Sequence, residues 1–189
     1  MSCREINKRY ETDGYIVKRV PLFLPSSPIN FPTFFDESSL QEVKDILQKA
    51  ELSKEIKNAI WQQYHELFVY HCSDPIERNV LAPQVKVSYN LFNLPDIYYP
   101  VFKPLIEENK LNTLSEQDLY TYLGSRLQWF NINFYEYKKF TKQVTNLCDT
   151  FDLNEEDILG NPSNIGYNSV LGLRIIDYGL DVNYNINSL

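Results

Sequence analysis

Cysteine, histidine, glycine and positive charge are all scarce in this 189-residue chain, and each scarcity removes a class of protein. The three cysteines, Cys3, Cys72 and Cys148, are odd in number and far apart, with no Cys-x-x-Cys spacing. A disulfide framework and a zinc knuckle are therefore not expected, and a reducing compartment is the simpler setting. The two histidines, His65 and His71, stand six apart on one helical stretch. That spacing puts them on different faces, whereas a zinc helix needs an i, i+4 pair. With 18 Lys and Arg against 25 Asp and Glu, net charge −7, nucleic acid is not an expected partner, because its phosphate backbone demands clustered cations. No apolar run approaches the ~18–20 residues of a membrane span. Met1-Ser2-Cys3-Arg4-Glu5 leads into polar sequence, so the expectation is a cytoplasmic protein with no secretory leader and no membrane partner. Gly14 is the sole glycine before Gly124, which leaves no Gly-rich loop to cradle phosphates.

What is present is apolar and aromatic. The hydrophobic fraction is 43% and the aromatic fraction 14%, with 14 Tyr and 11 Phe. A chain of this length can bury a core without metals or disulfides, and aromatic surface is left over. Abundant Asn, Ile, Lys and Tyr have AT-rich codons and suggest a low-GC bacterial, phage or protist genome.

The patterning predicts an α+β, mostly helical single domain with a small β-sheet or hairpin. Its divisions are an N-terminal extended segment and loop (1–36), a helical region (37–151), and a polar loop, hairpin and tail (152–189). Residues 14–24 read as extended, broken at Pro21. Ser39-Leu-Gln-Glu42 has the form of a capping box opening a helix over 39–50. A second helix starts near Ser53, aligns Ile56, Ala59, Ile60, Tyr64, Leu67, Phe68 and His71, and stops at Asp74-Pro75. Val85, Val87 and Tyr89 alternate like a short strand. Tyr99 to Asn109 reads as a short helix, and Thr113-Leu-Ser-Glu116 as a second capping box for a helix reaching Trp129. Tyr137, Phe140, Val144, Leu147, Cys148 and Phe151 mark a helix of about 18 residues ending before Asp152. Glu155-Glu156-Asp157 reads as an acidic first helical turn after Asn154.

Four of the six glycines, Gly160, Gly166, Gly172 and Gly179, fall in the tail. There a polar loop holding Asn161-Pro-Ser-Asn164 leads into a hairpin that ends in Ile176-Asp177-Tyr178-Gly179. Asn164 and Asp177 lie thirteen residues apart. This segment resembles the metal-binding part of the protein-kinase-like superfamily, in which a catalytic-loop Asn and the Asp of an Asp-Phe-Gly motif hold Mg²⁺ against nucleotide phosphates. The resemblance covers residues 130–180. It implies a truncated kinase-like fold binding ATP and Mg²⁺, with Asn164 and Asp177 as metal and cofactor ligands. It further implies Lys18 as the strand lysine for the phosphates, with Glu42, Glu55 or Glu66 as its helix partner. The family's base position is Leu159, which cannot accept a proton, and Asp157 is the nearest carboxylate. The implied protein is therefore a pseudokinase, or, if Asp157 substitutes, a phosphotransferase. The chain ends ten residues after Gly179, short of the segments that complete the larger kinase lobe.

Plainer readings stand beside this one. Asp177-Tyr-Gly can end a strand with a turn in which Gly takes positive φ. Cys148 sits on an apolar helix face as a small hydrophobe, and Ser163 lacks the Gly-x-Ser-x-Gly frame of a nucleophile. Tyr98, Tyr99, Phe102, Trp129, Phe130, Phe134 and Tyr135 exceed what one helix face can bury, and such residues are enriched in interface cores. The second function class is accordingly a non-enzymatic interaction or assembly protein, for example a phage structural or host-modulating factor, acting through this aromatic surface.

Overall fold

The computed structural model describes residues 8–20, 25 and 27–179. Cys3, the start of the chain, the Pro21–Leu24 end of the expected extended segment and the tail after Gly179 lie outside these residues. Among the described residues the chain is an α+β fold with seven α-helices and two small antiparallel sheets. It divides into two compact units. The described residues up to Ser73, together with Pro83–Val101 and Gly179, make the first. Asp74–Ala82 and Phe102–Tyr178 make the second. These units cut across the three-part division expected along the chain, since residues 37–151 contribute to both.

The first unit holds a four-stranded sheet of order β1-β2-β4-β3, with β1 Lys8–Thr12, β2 Tyr15–Arg19, β3 Lys86–Tyr89 and β4 Pro95–Pro100. The hairpin joining β1 to β2 turns at Asp13 and Gly14, both at positive φ (50° and 80°), as a two-residue type I′ turn requires. β4 is a central strand, pairing Ile97 with Lys18 on one side and with Val87 on the other. Its alternating burial puts Ile97 and Tyr99 inside. The helix expected from Tyr99 therefore does not form, because two neighbouring strands claim the backbone up to Pro100. Two helices complete the unit: α1, Glu37–Lys49, and α2, Lys54–Cys72. The capping box of α1 is Asp36 with Ser39, not Ser39 with Glu42. α2 starts at its N-cap Ser53, as expected. Val43 and Leu47 pack with Val20, Phe31, Ile60, Trp61, Tyr64, Phe92 and Leu94 in one core.

The second unit holds β5 Lys103–Pro104, β6 Ile165–Asn168 and β7 Gly172–Ile175 in the order β5-β6-β7. The expected C-terminal hairpin is β6–β7, with Ile165 opposite Ile175, and it forms a sheet separate from that of the N-terminal strands. Leu81 adds a parallel bridge to Ile175. Around it lie α3 Pro75–Arg78, α4 Glu108–Leu111, α5 Glu116–Trp129, α6 Phe134–Phe151 and α7 Glu155–Leu159. α5 is capped by Ser115 instead of Thr113, and α4 is the short remnant of the helix expected at 99–109. α6 buries Phe140, Val144, Leu147 and Cys148 as its spacing requires, and stops at Asp152 in the left-handed conformation. No described helix is long and apolar enough to cross a membrane.

Candidate functional site

Lys18, the candidate phosphate lysine, lies on β2 in the first unit. Its ammonium is 2.5 Å from Glu66 Oε1 on α2, with both side chains about fully enclosed at 5% and 4% exposure. Tyr99 Oη donates to the same carboxylate oxygen at 2.6 Å, and the ammonium sits 5.1 Å from the Tyr99 ring centroid. Of the three glutamates named as possible partners, Glu42 and Glu55 are exposed and Glu66 makes the pair. Gln63 braces the strands beneath it, donating to the carbonyls of Lys18 and Pro95, each at 3.0 Å. The ion pair is thus an internal tie between sheet and helix, with charge-assisted bonds in place of water.

Asn164, Asp157 and Asp177 belong to the second unit. Asn164 ends a short 3₁₀ turn, Pro162–Asn164, and is 2% exposed. Its side-chain amide donates to the Asp157 carbonyl at 2.9 Å, while its own carbonyl accepts from Ile176 N at 2.8 Å. This buried amide pins α7 to the root of the β6–β7 hairpin. Asp157 is in the first turn of α7, and its N–H is capped by Asn154. Asp177 is half-buried, two residues past the end of β7. Tyr178, fully buried, donates to the Ala82 carbonyl at 2.9 Å.

Gly179 does not take positive φ, contrary to the turn expected after Asp177-Tyr178. A Cβ there would fall 2.5 Å from the Gln62 carbonyl oxygen, so glycine is needed because the backbone runs against α2. The Gly179 carbonyl oxygen is also 3.2 Å from His65 Nδ1. His65 is buried and stacked on Trp61, and His71 is stacked on Phe35. Among the described residues no group of three or more His, Cys, Asp and Glu side chains converges as a metal site.

The aromatic candidates separate sharply. Tyr99, Phe102 and Phe130 are buried at 3%, 8% and 8%, and Tyr98 is half-buried under Lys86. Trp129, Phe134 and Tyr135 are 60%, 71% and 78% exposed. These last three flank the corner where α5 hands over to α6, a turn made at Asn131 with φ 59°. Tyr120 on α5 is exposed as well; it stands seven residues before the buried Leu127, on the same helix face, so its spacing carried no signal of exposure. The Trp129 indole packs edge-on to Phe130, with ring centroids 4.7 Å apart.

Comparison with protein-family models, with curated proteins and with solved structures gives no match.

Proposed function

We propose that this chain is a non-enzymatic interaction protein that engages a protein partner through the α5–α6 corner of its second unit. The observation that carries the reading is the exposure of Trp129, Phe134 and Tyr135 at one helical corner. Large aromatics are the side chains that anchor interfaces, and clustered exposure of this kind is costly in water unless something covers it. The test is site-specific incorporation of a photo-crosslinking aromatic amino acid at positions 129, 134 and 135 in cells that make the protein, with the more exposed position 170 as control. Discrete adducts at the three aromatic positions and none at the control are expected. The same pattern at all four positions sinks the reading.

A nucleotide-binding pseudokinase is the second reading, favoured by one observation: the strand lysine Lys18 pairs with a helix glutamate, Glu66, as the resemblance implies. In that reading Asn164 and Asp177 hold Mg²⁺ and ATP. A ligand bound by the folded state alone raises its melting temperature. ATP with Mg²⁺ would then stabilise the wild type and not Asp177→Ala, and an unchanged melting temperature at millimolar nucleotide rejects it.

A further inference from the structure

Gly124 stands in the interior of α5, where glycine is a poor helix former. Two usual reasons for such a glycine are absent here. Its backbone is helical, and a Cβ at this position would meet nothing within 4 Å. What Gly124 does border is a surface depression of about 440 Å³ at the α5–α6 corner. The buried side chains of Leu127 and Ile132 contribute apolar lining, and Phe134 forms another part of the wall. Gln128 and Asn131 line it too. Among the described residues neither of their side-chain amides has a hydrogen-bond partner within the chain, so both can offer a donor and an acceptor to a peptide main chain.

The charge of this corner opposes that of the molecule. Residues 119–143 carry Arg126, Lys138, Lys139 and Lys142 against the single carboxylate of Glu136, in a chain of net charge −7. Lys138 lies 5.8 Å from the Phe134 ring centroid. On a different face of α5, Lys103 and Arg126 lie 4.4 and 4.7 Å from that of Trp129, and Arg126 Nε donates to the Leu105 carbonyl at 2.7 Å. Among the described residues none of these three cations has a carboxylate at salt-bridge distance.

We propose that the depression beside Gly124 seats an apolar side chain from an acidic, extended segment of the partner protein, whose carboxylates meet Lys138 at the Phe134 wall. This rests on the interaction reading above and names the partner's chemistry. Nucleic acid fits less well, because its phosphate backbone demands clustered cations and the chain carries a net charge of −7. A second copy fits less well also, since a twofold contact would set this cationic corner against itself.

The experiment is selection of a random displayed peptide library on the whole protein, followed by fluorescence anisotropy with the selected peptides. Asp and Glu flanking an apolar residue should be enriched, with binding that weakens as salt rises. Gly124→Leu, which fills the depression with a better helix former, should bind at least about tenfold more weakly while melting no lower than wild type. Lys138→Glu should weaken binding several-fold. Selected peptides without an acidic excess, or equal binding to Gly124→Leu, overturn the proposal. So do displacement of the peptide by a single-stranded oligonucleotide, and a dimer in sedimentation that Gly124→Leu dissociates. Photo-crosslinks that persist unchanged in Gly124→Leu remove the acidic-peptide site and leave the interaction reading standing, whereas their absence in wild type removes both.

Discussion

Lys18 and Glu66, 48 residues apart in sequence, meet as a buried ion pair at 2.5 Å that ties β2 to α2, with Tyr99 donating to the same carboxylate. Removing one member leaves the other's charge in a site where the side chains are only 4–5% exposed, and such losses run to about 3–5 kcal/mol. Lys18→Met should therefore destabilise by about that amount in urea denaturation. Adding Glu66→Gln removes the stranded charge while keeping an acceptor for Tyr99, so the double variant should recover most of the loss. A single variant within about 0.5 kcal/mol of wild type refutes the pair's structural role.

Gly179 is held by distance instead of by dihedral angle. Its missing Cβ leaves room for the Gln62 carbonyl at 2.5 Å and for Glu66 Oε2 at 3.3 Å. Gly179→Ala forces either the chain or α2 to shift, and overpacking of this kind costs about 1–3 kcal/mol. A lowered denaturation midpoint with an unchanged slope is expected. Stabilisation, which follows when alanine merely restricts the unfolded chain, would rule out the close approach.

The local grammar of the chain was legible where neighbours in sequence decide the outcome. Ser53 and Asp74-Pro75 bracket α2, the spacing from Phe140 to Phe151 marks α6, and the β6–β7 hairpin falls where Gly166 and Gly172 suggested. It was illegible where distant pairing decides. Tyr99 follows a run of aromatic and proline residues compatible with a helix start, and becomes a strand because β2 and β3 flank it. Asp36 outcompetes Ser39 as the cap of α1 since its carboxylate reaches the Ser39 N–H at 2.8 Å. The Asp13-Gly14 pair is the sequence signal of the first hairpin, both residues standing at positive φ. For the candidate sites, the resemblance to the kinase-like superfamily implied Lys18, Asn164 and Asp177. Nothing in spacing reveals that Lys18 and Asn164 are buried, that Glu66 instead of Glu42 or Glu55 receives the lysine, or that only Trp129, Phe134 and Tyr135 of seven aromatics stand out in solvent. Burial is a property of the assembled chain.

The Asn164 amide donates to Asp157 O at 2.9 Å from a site 2% exposed and so holds α7 to the root of the β6–β7 hairpin. Asn164→Ala leaves the buried carbonyl of Asp157 without this donor, a loss of about 1–3 kcal/mol. The drop should be the same with and without Mg²⁺ and ATP. A deficit that appears only in the presence of nucleotide would instead assign the amide to ligand binding.

Cys148 makes the fold sensitive to alkali. Burial in the apolar face of α6, reinforced by the negative charges of Glu155 and Asp149, pushes its thiol up from 9.0 to about 12. The unfolded chain then loses this proton at lower pH than the folded one does. The stabilisation this represents is complete below about pH 9 and drains away as the pH climbs toward 12, at up to ~1.4 kcal/mol per pH unit for one proton. Burial raises the tyrosines Tyr64 and Tyr137 in the same sense, steepening the decline above about pH 10. Urea denaturation across this range should give a stability that falls with pH, and Cys148→Ala should fall less steeply between about pH 9 and pH 10. In the native protein at neutral pH, a thiol reagent should modify the exposed Cys72 well before Cys148, whose labelling should track unfolding. Rapid native labelling of Cys148, or identical pH slopes for wild type and Cys148→Ala, would contradict its enclosure.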